Sequence, residues 1–200
     1  MSLKRDAVLP IAPPGAEPIV TERLRLVPAT LALARAELED RTAFAALLDA
    51  RVPEAWPPQT VAEALPLFAL WLQAAPACGG WFSWYALARQ EDGAAVLVAS
   101  GGFIGPPLDG EVAVGYAVLP QFEGRGYASE MAGALVEWAL AQPRVERVIA
   151  ETEWANPASV RVLSKLGFVP SGSAKAAQGL RFERRRDAAS LDAASLDAAG

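Results

Sequence analysis

The sequence predicts an α/β (α+β) domain in which about seven strands and several helices share one core. Three observations lead to it. Trp81 to Arg89 and Ala95 to Phe103 are apolar runs joined by Glu91-Asp92-Gly93, the pattern of a hairpin. Glu111 to Leu119 reads as a strand closed by Pro120, and beyond Gly124 and Gly126 the spacing turns helical. There Ala128, Ala132, Leu135 and Ala139 form one stripe, flanked by Met131 and Trp138. Further on, the strand Arg147 to Glu153 leads into a capped helix, Asn156 to Gly167, and then into strands at Phe168 to Ser173 and Leu180 to Arg185.

The earlier elements follow in order. Residues 1–18 are an extended, proline-rich lead-in without periodicity. Ile19 to Val27 alternates as a half-buried strand, with Leu24 and Leu26 on one side, Arg23 and Arg25 on the other, and Pro28 at its end. Thr30 is placed to cap a helix over Leu31 to Glu39, and a second helix covers Thr42 to Ala50. Val52 to Gln59 is a loop that holds Trp56 between prolines. Thr60 opens a helix through Gln73, with Pro66 as a kink or break inside it. The domain is expected to span 19–187. In 188–200 the five residues Ala189 to Ala193 repeat as Ala194 to Ala198, a low-complexity tail, disordered or loosely helical.

Composition excludes several functions. A chain of 200 residues, 52% hydrophobic, builds one substantial core. No apolar run approaches the roughly 18 residues of a membrane-spanning helix. Pro10, Pro13 and Pro14 break any signal-peptide core, so the expectation is a cytoplasmic protein with no membrane partner. The single cysteine, Cys78, and the absence of histidine exclude an internal disulfide, zinc chemistry and His-based triads, and no metal is expected. A net charge of −5 argues against nucleic acid as a partner. No Walker A loop occurs, and Ser129 stands where a dinucleotide fingerprint needs its third glycine.

The most informative stretch is Gly115 to Gly126, GYAVLPQFEGRG. Two glycines lie where a strand becomes a helix. The unpartnered N–H groups and the dipole of a helix start make an anion site suited to phosphate. The second is Asn156 to Phe168, NPASVRVLSKLGF. Asn156 is its N-cap, Pro157 its first helical residue, and Gly167 its C-terminal cap, and Val160, Leu163 and Leu166 with Val162 form the buried face.

The two motifs in this order, separated by one helix and one strand, resemble the GNAT family of acyltransferases. Gln121-Phe122-Glu123-Gly124-Arg125-Gly126 is similar to the family's Gln/Arg-x-x-Gly-x-Gly/Ala signature, and Asn156-Pro157-Ala158-Ser159 through Lys165-Leu166-Gly167-Phe168 to its later helix. Thr21-Glu22-Arg23-Leu24-Arg25-Leu26 resembles the opening strand of the branch containing the RimJ/RimL ribosomal-protein N-terminal acetyltransferases. The resemblance implies a mixed, mostly antiparallel central sheet flanked by helices, and transfer of an acetyl group from acetyl-CoA to an amine in a ternary complex. It also implies how the co-substrate is held. Its pyrophosphate would rest on backbone N–H groups of Phe122, Glu123, Gly124, Arg125, Gly126, Tyr127 and Ala128. Its pantetheine arm would lie along Ala117 and Val118 like an added strand, within reach of Asn156. A backbone N–H near Val118 would polarise the thioester carbonyl.

The same resemblance leaves the proton chemistry open. Related enzymes often place a glutamate at the position of Ala113, and a tyrosine general acid at that of Leu163. Glu111, two residues earlier on the same face as Ala113, is a candidate base acting through water, or else a solvated strand end. Glu151, Glu153 and Tyr85 are further candidates. The RimL-like branch suggests Ser159 as the group that protonates the leaving thiolate, unless it is simply the third residue of the helix. Trp56, Trp81, Trp84 and Trp154 either line an acceptor groove or pack the core.

Proton affinity bears on the acceptor. A free α-amine, with a pKa of about 8, is roughly one-tenth neutral at pH 7, whereas a lysine amine near 10.4 is neutral only about once in several thousand. A site with no strong base suits an α-amine such as a protein N-terminus better than a lysine. A small-molecule amine is the alternative acceptor. The departures at Ala113 and Leu163 support a rival reading, a non-catalytic acyl-CoA-binding or sensing protein on the same fold. A homodimer is compatible with this reading.

Overall fold

The computed structural model describes residues 16–90, 93–173 and 179–187. The greater part of the proline-rich lead-in and all of the repeated tail lie outside the described residues. The element order is β1 (Ile19–Val20), β2 (Leu24–Pro28), α1 (Leu31–Glu39), α2 (Arg41–Leu48), α3 (Gln59–Ala74), β3 (Ser83–Arg89), β4 (Ala95–Phe103), β5 (Glu111–Val118), α4 (Tyr127–Leu140), β6 (Arg147–Glu153), α5 (Pro157–Lys165), β7 (Val169–Ser173) and β8 (Gly179–Arg185). The strands form one sheet of eight in the order β1-β2-β3-β4-β5-β6-β8-β7. Every neighbouring pair is antiparallel except β5 and β6, which run parallel. The fold class is the expected one.

One strand more than expected arises near the amino end. Ile19 to Val27 is not a single strand: it folds back on itself, pairing Ile19 with Leu26 and Val20 with Arg25. The turn is closed at Thr21, whose N–H donates to the Leu24 carbonyl at 2.9 Å and whose Oγ1 accepts from the Leu24 N–H at 3.1 Å. A threonine hydroxyl that bonds nearby backbone competes with the sheet ladder and favours a turn. The alternation is nevertheless kept in β2, where Leu24 and Leu26 are buried and Arg25 is exposed.

The helices cover the two sheet faces unequally. Phe44 of α2 packs edge-on against Tyr85 at 5.2 Å between ring centroids, and Trp71 of α3 lies 5.5 Å from Phe82. On the other face Trp138 of α4 meets Trp81, Trp84 and Phe103 at 4.7, 5.4 and 5.7 Å. Trp56, Trp81 and Trp84 are buried in the core, and Trp154 is exposed after β6. Side chains that large remove so much apolar surface from water that packing claims them first. Trp81, two residues before β3, ends a short 3-10 turn, Pro76–Trp81, rather than opening the strand.

Local capping follows the sequence at two helices. Thr30 accepts from the Leu33 N–H at α1, and Asn156 accepts from the Ser159 N–H at α5. Asp40 caps α2, accepting from both Thr42 and Ala43. At α3 the expected Thr60 cap is absent. Pro58 stands at the N-cap position without a side-chain bond, and the helix runs unbroken through Pro66. On α5 Leu163 is buried, while Val160, Val162 and Leu166 are half-buried.

Candidate active site

The parallel pairing of β5 and β6 is short. Glu111, Val112 and Ala113 pair with Arg147, Val148 and Ile149, and from Val114 onward the two strands diverge. An edge therefore opens in the middle of the sheet. Which residues face it follows from hydrogen-bond alternation. The Ala113 carbonyl accepts from the Ile104 N–H at 3.1 Å, and the Leu119 N–H donates to the Val98 carbonyl at 2.9 Å. Backbone groups of odd-numbered residues on β5 are thus directed to β4, and those of Val114, Tyr116 and Val118 to the gap. The backbone of Val118, expected to hold the pantetheine arm, faces the gap. The backbone of Ala117, the other residue expected there, faces Ser100 of β4 instead, and Tyr116 stands at the open edge.

At the end of β5, Pro120–Phe122 forms a 3-10 turn. Gly124 and Gly126 follow with φ of +72° and +83°, a left-handed conformation that suits glycine. Gly126 is the N-cap of α4. The Phe122 N–H donates to the Leu119 carbonyl and the Glu123 N–H to the Pro120 carbonyl, so these two donors are taken up by the turn. Among the described residues, the N–H groups of Gly124, Arg125, Gly126, Tyr127 and Ala128 have no protein acceptor. Free donors in a row at the positive end of a fourteen-residue helix make an anion cradle.

Two guanidinium groups flank the cradle. Arg125 lies 5.4 Å from the centre of the Phe122 ring, and Arg23 lies 5.1 Å from that of Tyr127. Arg23 also donates to the Arg125 carbonyl at 2.8 Å. Its place in the cradle has no local sequence signal, because the β1–β2 turn carries it there from 102 residues away.

Ser159 and Tyr116 meet across the gap. Their hydroxyl oxygens are 3.0 Å apart, and the Tyr116 hydroxyl also donates to the Ser159 carbonyl at 3.5 Å. Burial raises the Tyr116 pKa above its ordinary value, against the smaller lowering effect of the Ser159 bond. Leu163 is fully enclosed in the core.

Glu111 has a different role from the one suggested by its place in the sequence. Its Oε2 accepts from Arg147 Nε at 2.8 Å and from an Arg181 terminal nitrogen at 2.6 Å. Burial works to raise its pKa, but the two guanidinium groups outweigh that, and the carboxyl sits below its ordinary range. It lies at the closed end of the β5–β6 pairing, five positions or roughly 17 Å of strand from Tyr116. A carboxylate held so firmly in its charged form is a poor proton acceptor. Glu151 and Glu153 are exposed on β6, and Tyr85 is fully buried with its hydroxyl bonded to Glu37.

On the α3 side of the sheet a cavity of about 320 Å³ ends on Gly115, Tyr116 and Ala117. Thr60, Val61, Ala64 and Phe68 of α3 form one wall and Ser100 to Ile104 the other, with Ser83 in the floor. Tyr116 is the one residue with an ionisable side chain among those lining it, and that side chain leaves the sheet on the opposite face, toward Ser159. A Cβ added at Gly115 would meet nothing within 4 Å, so the missing side chain keeps the cavity open at the middle of β5. None of the four tryptophans lines it.

Residues 30–169 match the Acetyltransferase (GNAT) domain family. The chain is 32% identical over 115 residues to "Uncharacterized N-acetyltransferase YjdG" of Bacillus subtilis (strain 168), covering 57% of this chain and 67% of that protein. Two solved structures share the fold. Ribosomal-protein-S5-alanine acetyltransferase from Vibrio fischeri is 16% identical, with a TM-score of 0.56, over 86% of this chain and 98% of its own. RimL, a ribosomal L7/L12 alpha-N-protein acetyltransferase in complex with coenzyme A, is 19% identical, with a TM-score of 0.56, over 86% of this chain and 99% of its own. The chain therefore belongs to the GNAT family and is an acetyltransferase.

Proposed function

We propose that the protein acetylates the α-amine at the amino end of a protein or peptide, with acetyl-CoA as the donor. The carrying observation is the cavity that ends on Gly115 to Ala117 without a carboxylate or an imidazole in its lining. An acceptor there finds no strong base, so an amine that is already partly neutral at pH 7 reacts best.

The donor suits the residues present. The free N–H groups from Gly124 to Ala128, with Arg23 and Arg125 beside them, match a pyrophosphate in charge and in hydrogen-bonding direction. The backbone of Val114, Tyr116 and Val118 offers a strand edge to the amide-bearing pantetheine arm. That arm, laid along the gap, brings its thioester to the middle of β5, between the cavity on one face and the Tyr116–Ser159 pair on the other. The acetyl-CoA supplies an activated carbonyl. The backbone N–H groups aimed into the gap, that of Tyr116 at the middle of β5 and that of Val118 at its end, would donate to the developing oxyanion. Asn156 holds the start of α5 and sets Ser159 against the gap.

The test measures thiol release from acetyl-CoA with three acceptors at pH 7.5: peptides with a free amino end, amino-blocked peptides with one lysine, and polyamines. The expected order of kcat/KM places free amino ends first by at least tenfold. Faster turnover of lysine side chains or polyamines would overturn the reading.

A further inference from the structure

We propose that Tyr116 is the acid that hands a proton to the departing thiol sulfur, with Ser159 as its positioning partner. This goes beyond the acceptor reading and holds for whichever amine is used; it rests on the placement of the pantetheine arm in the β5–β6 gap.

Three structural features support it. Tyr116 pairs in register with Gly101, and a Cβ on Gly101 would meet Met131 and Leu135, so the Tyr116 side chain leaves the sheet on the α4 side. From there its hydroxyl reaches α5 and bonds Ser159 Oγ at 3.0 Å, bridging β5 and the helix that follows β6. Ser159 is itself fixed, because its N–H donates to Asn156 Oδ1 at 3.0 Å and ties it to the first turn of α5. On the opposite face Ser83 and Ser100 bond each other at 3.1 Å.

Acidity selects the tyrosine over the serine. A phenol with an ordinary pKa near 10 is a far better match to a thiolate, whose conjugate acid ionises at about 8.5, than an aliphatic alcohol is. Burial keeps the Tyr116 phenol protonated through the neutral range, so the donor form is the resting form. As the amine nitrogen bonds the carbonyl carbon, the C–S bond breaks with its electron pair on sulfur. Sulfur takes the Tyr116 proton, directly or through Ser159 Oγ. The acylated nitrogen sheds one proton to water, and the tyrosinate regains one from water. The products are the amide and the free thiol.

Tyr116→Phe, Ser159→Ala and the double variant test this with the best amine found for the wild type, so that failure of the α-amine reading does not decide the outcome. Tyr116→Phe is expected to lower kcat about 100-fold, with acetyl-CoA affinity by calorimetry within threefold, which also shows that the variant is folded. Ser159→Ala is expected to cost less, and the double variant little more than Tyr116→Phe alone. A second readout needs no turnover. The thiol of bound CoA, followed by thiolate absorbance, should ionise at lower pH in the wild type than in Tyr116→Phe, because the phenol donates to the thiolate. A kcat within threefold of wild type, or an unshifted thiol titration in Tyr116→Phe, overturns the proposal.

Discussion

Glu130 in the first turn of α4 grips Arg23 twice: one carboxylate oxygen accepts from the Arg23 backbone N–H at 2.8 Å, the other from Arg23 Nε at 2.7 Å. Thr21 Oγ1 donates to the same carboxylate at 2.6 Å. The β1–β2 turn is thereby locked to the helix start that forms the anion cradle. Burial pushes the Glu130 carboxyl up, but the bonds from Thr21 and Arg23 and the Arg23 charge outweigh it, and its pKa lies below the ordinary 4.5. Glu130→Gln is expected to lower the melting temperature and to weaken acetyl-CoA binding about threefold to tenfold, because Arg23 loses its anchor. A depressed carboxyl stabilises the fold above its unfolded pKa and ceases to do so as pH falls through the folded one. The melting-temperature gap between wild type and variant should therefore close below about pH 4. Unchanged acetyl-CoA affinity would show that the Arg23 lock plays no part in the cradle.

Gly115 tests the cavity. Its Cβ position points into open space, so Gly115→Val fills part of the acceptor end without a backbone clash. KM for the amine is expected to rise at least tenfold while acetyl-CoA affinity stays within twofold. An unaltered KM would mean that the acceptor enters elsewhere.

Glu111 tests the opposite expectation. It joins β5 to Arg147 of β6 and Arg181 of β8, three neighbouring strands, and is about one-quarter exposed (24%). Glu111→Gln should lower stability by roughly 1–3 kcal/mol and leave kcat within twofold. A hundredfold loss of kcat with unchanged folding would restore it as the base.

Glu37 gives stability an unusual pH dependence. Tyr85 donates to it at 2.5 Å and Trp56 Nε1 at 2.8 Å, yet burial outweighs both and raises its pKa to about 7. A raised carboxyl contributes stability that is complete below its unfolded pKa of about 4.5 and lost as pH rises through about 7. The wild type should lose melting temperature between pH 5 and pH 8, and Glu37→Gln should lose much less. Parallel curves for the two proteins would contradict this.

Much of the fold was legible in the sequence. Most strand and helix bounds fell within two residues, because the period of apolar residues and the caps at Thr30 and Asn156 depend on neighbours a few positions away. The glycine turn before α4 was legible for the same reason, since a left-handed residue before a helix calls locally for glycine. Other features were not legible. The threonine turn that splits Ile19 to Val27 is held by Glu130, more than 100 residues further on. The prediction that Phe122 and Glu123 would be free donors fails because a 3-10 turn uses their N–H groups.

By itself, then, the sequence determined the class of fold, the order of its elements and the place where an anion can rest on α4. Only the tertiary structure decided which backbone groups of β5 face the gap, that Glu111 is neutralised by Arg147 and Arg181, and that Tyr116 meets Ser159 from 43 residues away. The first set depends on local periodicity and backbone geometry, which a short stretch of chain carries within itself. The second depends on pairs brought together through space, and a hydrogen bond or an ion pair leaves no mark on the sequence between its partners.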